Sequence, residues 1–324
     1  KRLRPVELGP FDYEREVHTR ALWIAEGITS YYDDLLLHRA GLMTDKEYLD
    51  KLSKLIERVE TNPGSLVESL SDSSFDAWIK FYRSDENSRN SRTDYYRKGA
   101  VVGFLLDAEI RRATLDRRSL DDVMRLAYER YSGERGFTTA EFRAVATEVA
   151  GRPLDDFFIQ TVDTTEKLDY GPALEHYGLR FAEKAKKGGQ PRGRTDQGDA
   201  QTAAGSPDKD DKDDEEPGYL GADVRSDGTI ARVIRGTPAY AAGLNVSDEI
   251  LAIDDYRVHG HNLDKALKRF RPGTEVTMTV ARRGKLRELP LTLGEKPGET
   301  WKLELNSAAL SRTSESRRRW LAGN

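Results

Sequence analysis

The chain has 324 residues, with 52 Lys and Arg against 56 Asp and Glu and a formal charge of −4, a balance that predicts no preference for nucleic acid. Cysteine is absent, which excludes disulfides, thiolate metal sites and cysteine nucleophiles and fits either the cytoplasm or the periplasm, so localisation stays open. No run of about 18 apolar residues occurs, so no segment is expected to span a bilayer, and the length suggests two domains in a soluble, bacterial-looking protein.

Residues 1 to about 185 read as mostly helical. Val17, Ala21, Ile24, Ile28, Tyr31 and Leu35 fall on one stripe at 100° per residue, as a core-facing helix requires. Glu26 then lies on the opposite side, flanked by Leu22, Trp23, Thr29 and Ser30. A lone carboxylate among such neighbours suits a helix packed on both sides with one polar group aimed at a cleft. With two imidazoles it could complete a tetrahedral zinc site and leave the fourth position for water, although most lone helical glutamates are simply solvated. Thr44 with Glu47 and Thr138 with Glu141 have the capping-box spacing, Ser119 with Asp122 is a weaker version, and Gly41, Gly133 and Gly151 fall where helices should stop. Tyr95 to Ala113 is apolar on most sides and predicts a buried helix, with Gly99 and Gly103 placed to let another backbone approach closely.

Residues 186–216 change character. Lys186 to Arg194 is basic and Gly-rich, and Asp208 to Glu216 is almost all charge, so the stretch reads as a disordered, charged linker. Residues 217–296 switch to short strands and turns. Asp227-Gly228 marks a hairpin, Pro238 opens a short helix that Gly243 closes, and Leu263, Ala266, Leu267 and Phe270 mark one face of a second helix. Val276 to Val280 and Leu286 to Leu293 alternate as closing strands of a small, partly open β-barrel. Residues 297–324 end in a basic amphipathic segment anchored by Trp320, expected to pack back on the protein.

Several motifs carry a resemblance. The run Leu22-Trp23-Ile24-Ala25-Glu26-Gly27 resembles the helix that gives a gluzincin metallopeptidase its glutamate ligand, and Tyr96-Arg97-Lys98-Gly99 resembles the Y-x-K-G motif that follows it. Lys1-Arg2-Leu3-Arg4-Pro5 and Leu8-Gly9-Pro10-Phe11-Asp12-Tyr13 resemble the segment after H-E-x-x-H in the glycyl aminopeptidase family, so the chain is expected to start just after that motif. None of the five histidines, His18, His38, His176, His259 and His261, belongs to an H-E-x-x-H pair. The resemblance implies the helical half of a thermolysin-like hydrolase, an aminopeptidase that uses zinc when complete and acts on peptide or protein substrates. In it Glu26 is a metal ligand and Tyr96 the oxyanion donor, with Tyr95 as the fallback; His18 could at most line the cleft. The two histidine ligands and the general base cannot be carried onto this chain, which alone should bind little zinc and cleave nothing.

Gly218-Tyr219-Leu220-Gly221-Ala222, Thr237-Pro238-Ala239, Ala242-Gly243-Leu244 and Asp248 to Ile253 resemble a bacterial PDZ domain. The resemblance implies that backbone N–H groups of Tyr219, Leu220, Gly221 and Ala222 receive a peptide's terminal carboxylate, beside a helix starting near Asn262. Ser247 and Asp255 stand where that pattern usually has glycine. The whole is thus expected to be a multidomain α plus α/β chain, a peptidase half followed by a PDZ-like barrel. The rival from another class is a non-catalytic PDZ adaptor with a degenerate peptidase half.

Overall fold

The computed structural model describes residues 2–183, 216–297, 300–308 and 311–323; the linker assigned to 186–216 lies outside the described residues except for Glu216. In chain order the elements are α1 (Thr29–Arg39), α2 (Asp45–Glu60), α3 (Leu70–Phe75), α4 (Ser88–Ser91), α5 (Arg97–Thr114), α6 (Leu120–Tyr131), α7 (Thr139–Ala150), α8 (Asp155–Phe158), α9 (Gly171–Tyr177) and β1 (Leu179–Phe181). There follow β2 (Ala222–Val224), β3 (Ile230–Val233), α10 (Pro238–Ala241), β4 (Glu249–Ile253), β5 (Tyr256–Arg257), α11 (Leu263–Leu267), β6 (Glu275–Arg282) and β7 (Lys285–Thr292). β8 (Leu303–Leu305) and α12 (Ser311–Ala322) complete the chain. Two units result: Lys1–Ala182 with Thr300–Asn324, and Glu183–Glu299.

The first unit is a helical assembly around α5, whose residues from Lys98 to Ala108 are all buried. A helix buried on every side cannot be amphipathic, which is why Ala100, Val101, Val102, Phe104, Leu105 and Leu106 run without a polar break. The capping boxes of α2 and α7 form as their spacing requires, with Thr44 and Thr138 accepting from the N–H groups of Glu47 and Glu141. Gly41 and Gly151 take left-handed φ values of 74° and 68° after α1 and α7, where a side chain would be strained.

The last helix belongs to this same unit. β8 pairs antiparallel with β1, Leu179 opposite Leu305 and Phe181 opposite Leu303, and Ala182 N–H donates to the Lys302 carbonyl at 2.8 Å. Trp320 of α12 is wholly buried, stacked on Tyr177 at 4.3 Å, and its indole N–H donates to the Tyr31 hydroxyl at 2.8 Å. Tyr31 in turn donates to Asp107 at 2.7 Å. The second unit is therefore inserted between two strands of the first.

In that second unit the sheet order is β5-β4-β6-β7, all antiparallel, and β2 and β3 form a separate ribbon. The ribbon is tied to the sheet where Ile230 N–H donates to Asp248 and Ile250 N–H to Gly228, both carbonyls, and the described residues form no closed barrel. Leu220, Ile230, Ile250, Ile253, Met278, Val280 and Leu293 fill its core. Ser247, at the position where glycine is usual, does take a left-handed φ of 68°; in the next turn Asp254 rather than Asp255 takes the positive value.

Candidate active site and peptide groove

Two glycines bring the candidate residues of the helical unit together. A Cβ on Gly27 would lie 2.6 Å from the Gly99 Cα and 2.8 Å from the Tyr95 carbonyl oxygen, and one on Gly99 would lie 2.9 Å from the Gly27 Cα. The segment before α1 and the start of α5 are thus in backbone contact; Glu26 directly precedes Gly27, and Tyr96, three residues before Gly99, lies close enough to Glu26 to feel its charge. Gly103 continues the crossing, with a Cβ there meeting the Tyr31 Cβ at 3.2 Å.

The local structure around Glu26 differs from an ideal helix. Trp23–Ile28 form a π turn, whose wider ladder adds a residue to the turn. Adjacent Trp23 and Ile24 are consequently both buried, at 0% and 3% exposure, and Trp23 does not flank Glu26 on an outer face. Val17 lies outside the helix. Glu26 itself is half-buried.

Tyr96 is half-buried and Tyr95 fully buried, at 1% exposure. Their rings stack at 4.7 Å, and both rest on Phe81. Burial, a hydrogen bond with Tyr82 and the charge of Glu26 push the Tyr96 phenol up to about 12. Burial first, then Tyr82, drive the Tyr95 phenol higher still. Both are protonated donors at neutral pH. Tyr82, which the sequence reading did not single out, has its hydroxyl 3.3 Å from that of Tyr95. The one signal for it is the aromatic run Trp78, Phe81, Tyr82 on a short turn just upstream.

His18 lies before the helix, not on it. Its Nδ1–H donates to the Phe75 carbonyl at 2.9 Å and its ring stacks on Phe75. Among the described residues no three His, Asp or Glu side chains gather in a way that could hold a metal ion. A zinc site needs at least three protein donors; the described residues do not supply that set, and Glu26 counts as one carboxylate.

The groove of the second unit follows from backbone pairing. Ala222–Val233 and Val224–Ile230 are the registered pairs on either side of Asp223–Arg232, bracketed by bonds from Ile234 N–H to Gly221 and from Arg225 N–H to Thr229. That pattern makes them the non-hydrogen-bonded kind, so the N–H groups of Ala222 and Val224 point away from β3. Helix α11 runs alongside in the opposite direction. Phe270, beyond its end, accepts from Gly218 N–H at 2.8 Å, while a Cβ on Gly260, ahead of its start, would fall 2.1 Å from the Arg225 carbonyl oxygen. Gly221 must be glycine: its φ is 81° and a Cβ would sit 2.2 Å from that of Thr237. Tyr219 departs from the expected donor set, because its N–H is taken by the Gly294 carbonyl at 2.8 Å. Leu220, Gly221 and Ala222 are the loop's remaining donors.

Comparison with known proteins agrees with both halves. Residues 1–102 match the M61 glycyl aminopeptidase family and residues 218–293 match the PDZ domain. A solved structure, an aminopeptidase N family protein from Idiomarina loihiensis, superposes with a TM-score of 0.80 at 28% identity, covering 99% of this chain and 52% of its own. Two curated relatives named "Probable periplasmic serine endoprotease DegP-like", from Chlamydia muridarum and Chlamydia trachomatis serovar D, are 38% and 35% identical over 71 residues, 22% of this chain. The chain spans about half of the solved relative and 14% of each chlamydial protein. It is thus a two-unit chain whose fold resembles that of an aminopeptidase N family protein, with residues 1–102 matching the M61 glycyl aminopeptidase family and residues 218–293 matching the PDZ domain.

Proposed function

We propose that this chain is the helical and PDZ-bearing portion of a zinc-dependent aminopeptidase of glycyl aminopeptidase type, contributing Glu26 as one metal ligand and Tyr96 as the oxyanion donor. The observation that carries the reading is the Gly27–Gly99 backbone contact, which sets Glu26 beside Tyr96 within the segment matched to the M61 family. The two imidazoles and the general base belong, on this reading, to residues outside the chain, and the chain by itself has no peptidase activity. When bound, zinc would supply Lewis-acid activation of water. Tyr96 has its own part: a phenol kept protonated at neutral pH can donate to the oxygen of a peptide carbonyl as charge develops there.

On the same reading the groove between β2 and α11 takes the C-terminus of a peptide, its carboxylate at Leu220, Gly221 and Ala222 and its backbone added along β2. Measuring the zinc content and peptidase activity of the full-length protein tests the catalytic part. A zinc-free, inactive full-length protein that still binds peptides would establish the adaptor instead.

A further inference from the structure

We propose that Lys98 and Glu60 form a water-bridged ion pair in a small cavity behind the candidate site, with water as the ligand of that cavity. Two steps of about 100° put Lys98 about 200° round α5 from Tyr96, so its side chain leaves the helix on the far side from the phenol. There Lys98 is 2% exposed, and its Nζ has no hydrogen-bond partner among the described residues. A charge buried in that condition is costly unless something accepts its hydrogen bonds.

The cavity that Lys98 lines has a volume of about 30 Å³, and Glu60, Asn62, Ser65 and Leu168 line it too. One water needs about 10–15 Å³ of such space, so there is room for one or two. The walls are held apart from the ammonium. Glu60, the last residue of α2, is fixed by the Tyr170 hydroxyl, which donates to its Oε1 at 2.7 Å. The turn Pro63–Leu66, which carries Ser65, is in backbone contact with Arg92: a Cβ on Gly64 would fall 2.1 Å from the Arg92 carbonyl oxygen. Asn62 Nδ2 donates to that same carbonyl at 3.0 Å.

Charge decides between the acceptors that would fit. Glu60 already supplies a negative charge for Lys98, and exposed Glu166 and Lys167 at the rim offset one another. An added anion would leave the cavity with excess negative charge. Water adds none, and it accepts from the ammonium while donating to the carboxylate. Burial pushes the Lys98 ammonium down to about 8, with Glu60 opposing that shift, so the charged form still dominates at neutral pH. The bridge ties the end of α2 to the first turn of α5, the turn that carries Gly99 of the helix crossing.

A high-resolution crystal structure of this chain and a double-mutant cycle test the pair. Water within hydrogen-bond distance of both Lys98 Nζ and the Glu60 carboxylate is expected. A direct Lys98–Glu60 bond, a cavity without water, or a bromide ion on Lys98 in crystals grown with bromide overturns the bridge. In urea unfolding followed by a probe confined to the helical unit, Glu60→Gln should lower the folding equilibrium constant about tenfold, but less than about threefold in a Lys98→Met background. Gln keeps an acceptor for Tyr170, so the difference between the two backgrounds reports on Lys98. Equal losses overturn the pairing, and the crystal structure, which needs no variant, decides the matter if Lys98→Met does not fold.

Discussion

The indole N–H of Trp320 reaches the Tyr31 hydroxyl at 2.8 Å across 289 positions of sequence, joining the last helix to the helix that continues from Glu26. Replacing Trp320 by Ala should destabilise the helical unit by about 3–5 kcal/mol, the range for truncating a large buried aromatic. Trp320→Phe keeps much of the packing against Tyr177 and Tyr48 but removes the donor, and should cost about 1–2 kcal/mol. Urea unfolding followed by a probe confined to the helical unit measures both; wild-type stability of Trp320→Phe would mean that the hydrogen bond contributes nothing.

A methyl group at the helix crossing should be poorly tolerated. Gly27→Ala and Gly99→Ala each place a Cβ under 3.0 Å from backbone atoms of the other segment, and backbone cannot move aside as a side-chain tip can. The expected loss is at least about 1–3 kcal/mol. In the full-length protein, activity should fall more than stability implies, because the same shift separates Glu26 from Tyr96. Wild-type melting of either variant would show that the crossing is looser than described.

Acid should loosen the C-terminal helix through Asp116. Burial opposes ionisation of this carboxyl, but the hydrogen bonds from His176 at 2.9 Å and Ser316 at 2.6 Å, with nearby Arg111, hold it below the usual carboxylate range. A carboxyl depressed in the folded state stabilises above its unfolded pKa, about 4, and that contribution is lost as pH falls through the folded value. The melting temperature of wild type should therefore drop more steeply below pH 4 than that of Asp116→Asn. Parallel pH profiles would remove Asp116 from the acid response.

Tyr96→Phe in the full-length protein should lower kcat by about 10²-fold with little change in KM, since the lost donor acts on charge that develops during the reaction. Glu26→Ala should lose zinc and activity together. A rise in KM at constant kcat would make Tyr96 a binding residue, and full zinc occupancy in the Glu26 variant would place the carboxylate ligand elsewhere.

Residues 217–296 should fold alone, because their core from Leu220 to Leu293 is self-contained. They should bind peptides with free C-termini at an affinity on the order of micromolar. Each peptide is titrated as its acid and as its C-terminal amide. Equal binding of the two forms would displace the carboxylate from Leu220, Gly221 and Ala222.

Much of this was legible because it is local. Thr44 with Glu47, Thr138 with Glu141, Pro238 with Gly243, and the unbroken apolar run of α5 each act within a few residues, where chain geometry alone decides the outcome. The Gly99 and Gly103 spacing even announced a close helix crossing, though not that Gly27 would be its partner. Two features resisted reading for one reason, that contacts far apart in sequence set them. The π turn at Trp23–Ile28 arises where Gly27 is pressed against Gly99. The N–H of Tyr219 is taken by Gly294.

The β1–β8 pairing and the seat of Trp320 impose an order on biosynthesis. A ribosome releases the chain from its first residue to its last, and domains fold as they emerge. The helices that carry Glu26 and Tyr96 appear early but keep the Trp320 site open until α12 has left the tunnel. The PDZ domain, made later, is complete sooner. During that interval Tyr31, Tyr48, Phe104 and Tyr177 present an uncovered aromatic seat, and the nascent protein should then depend most on holdase chaperones.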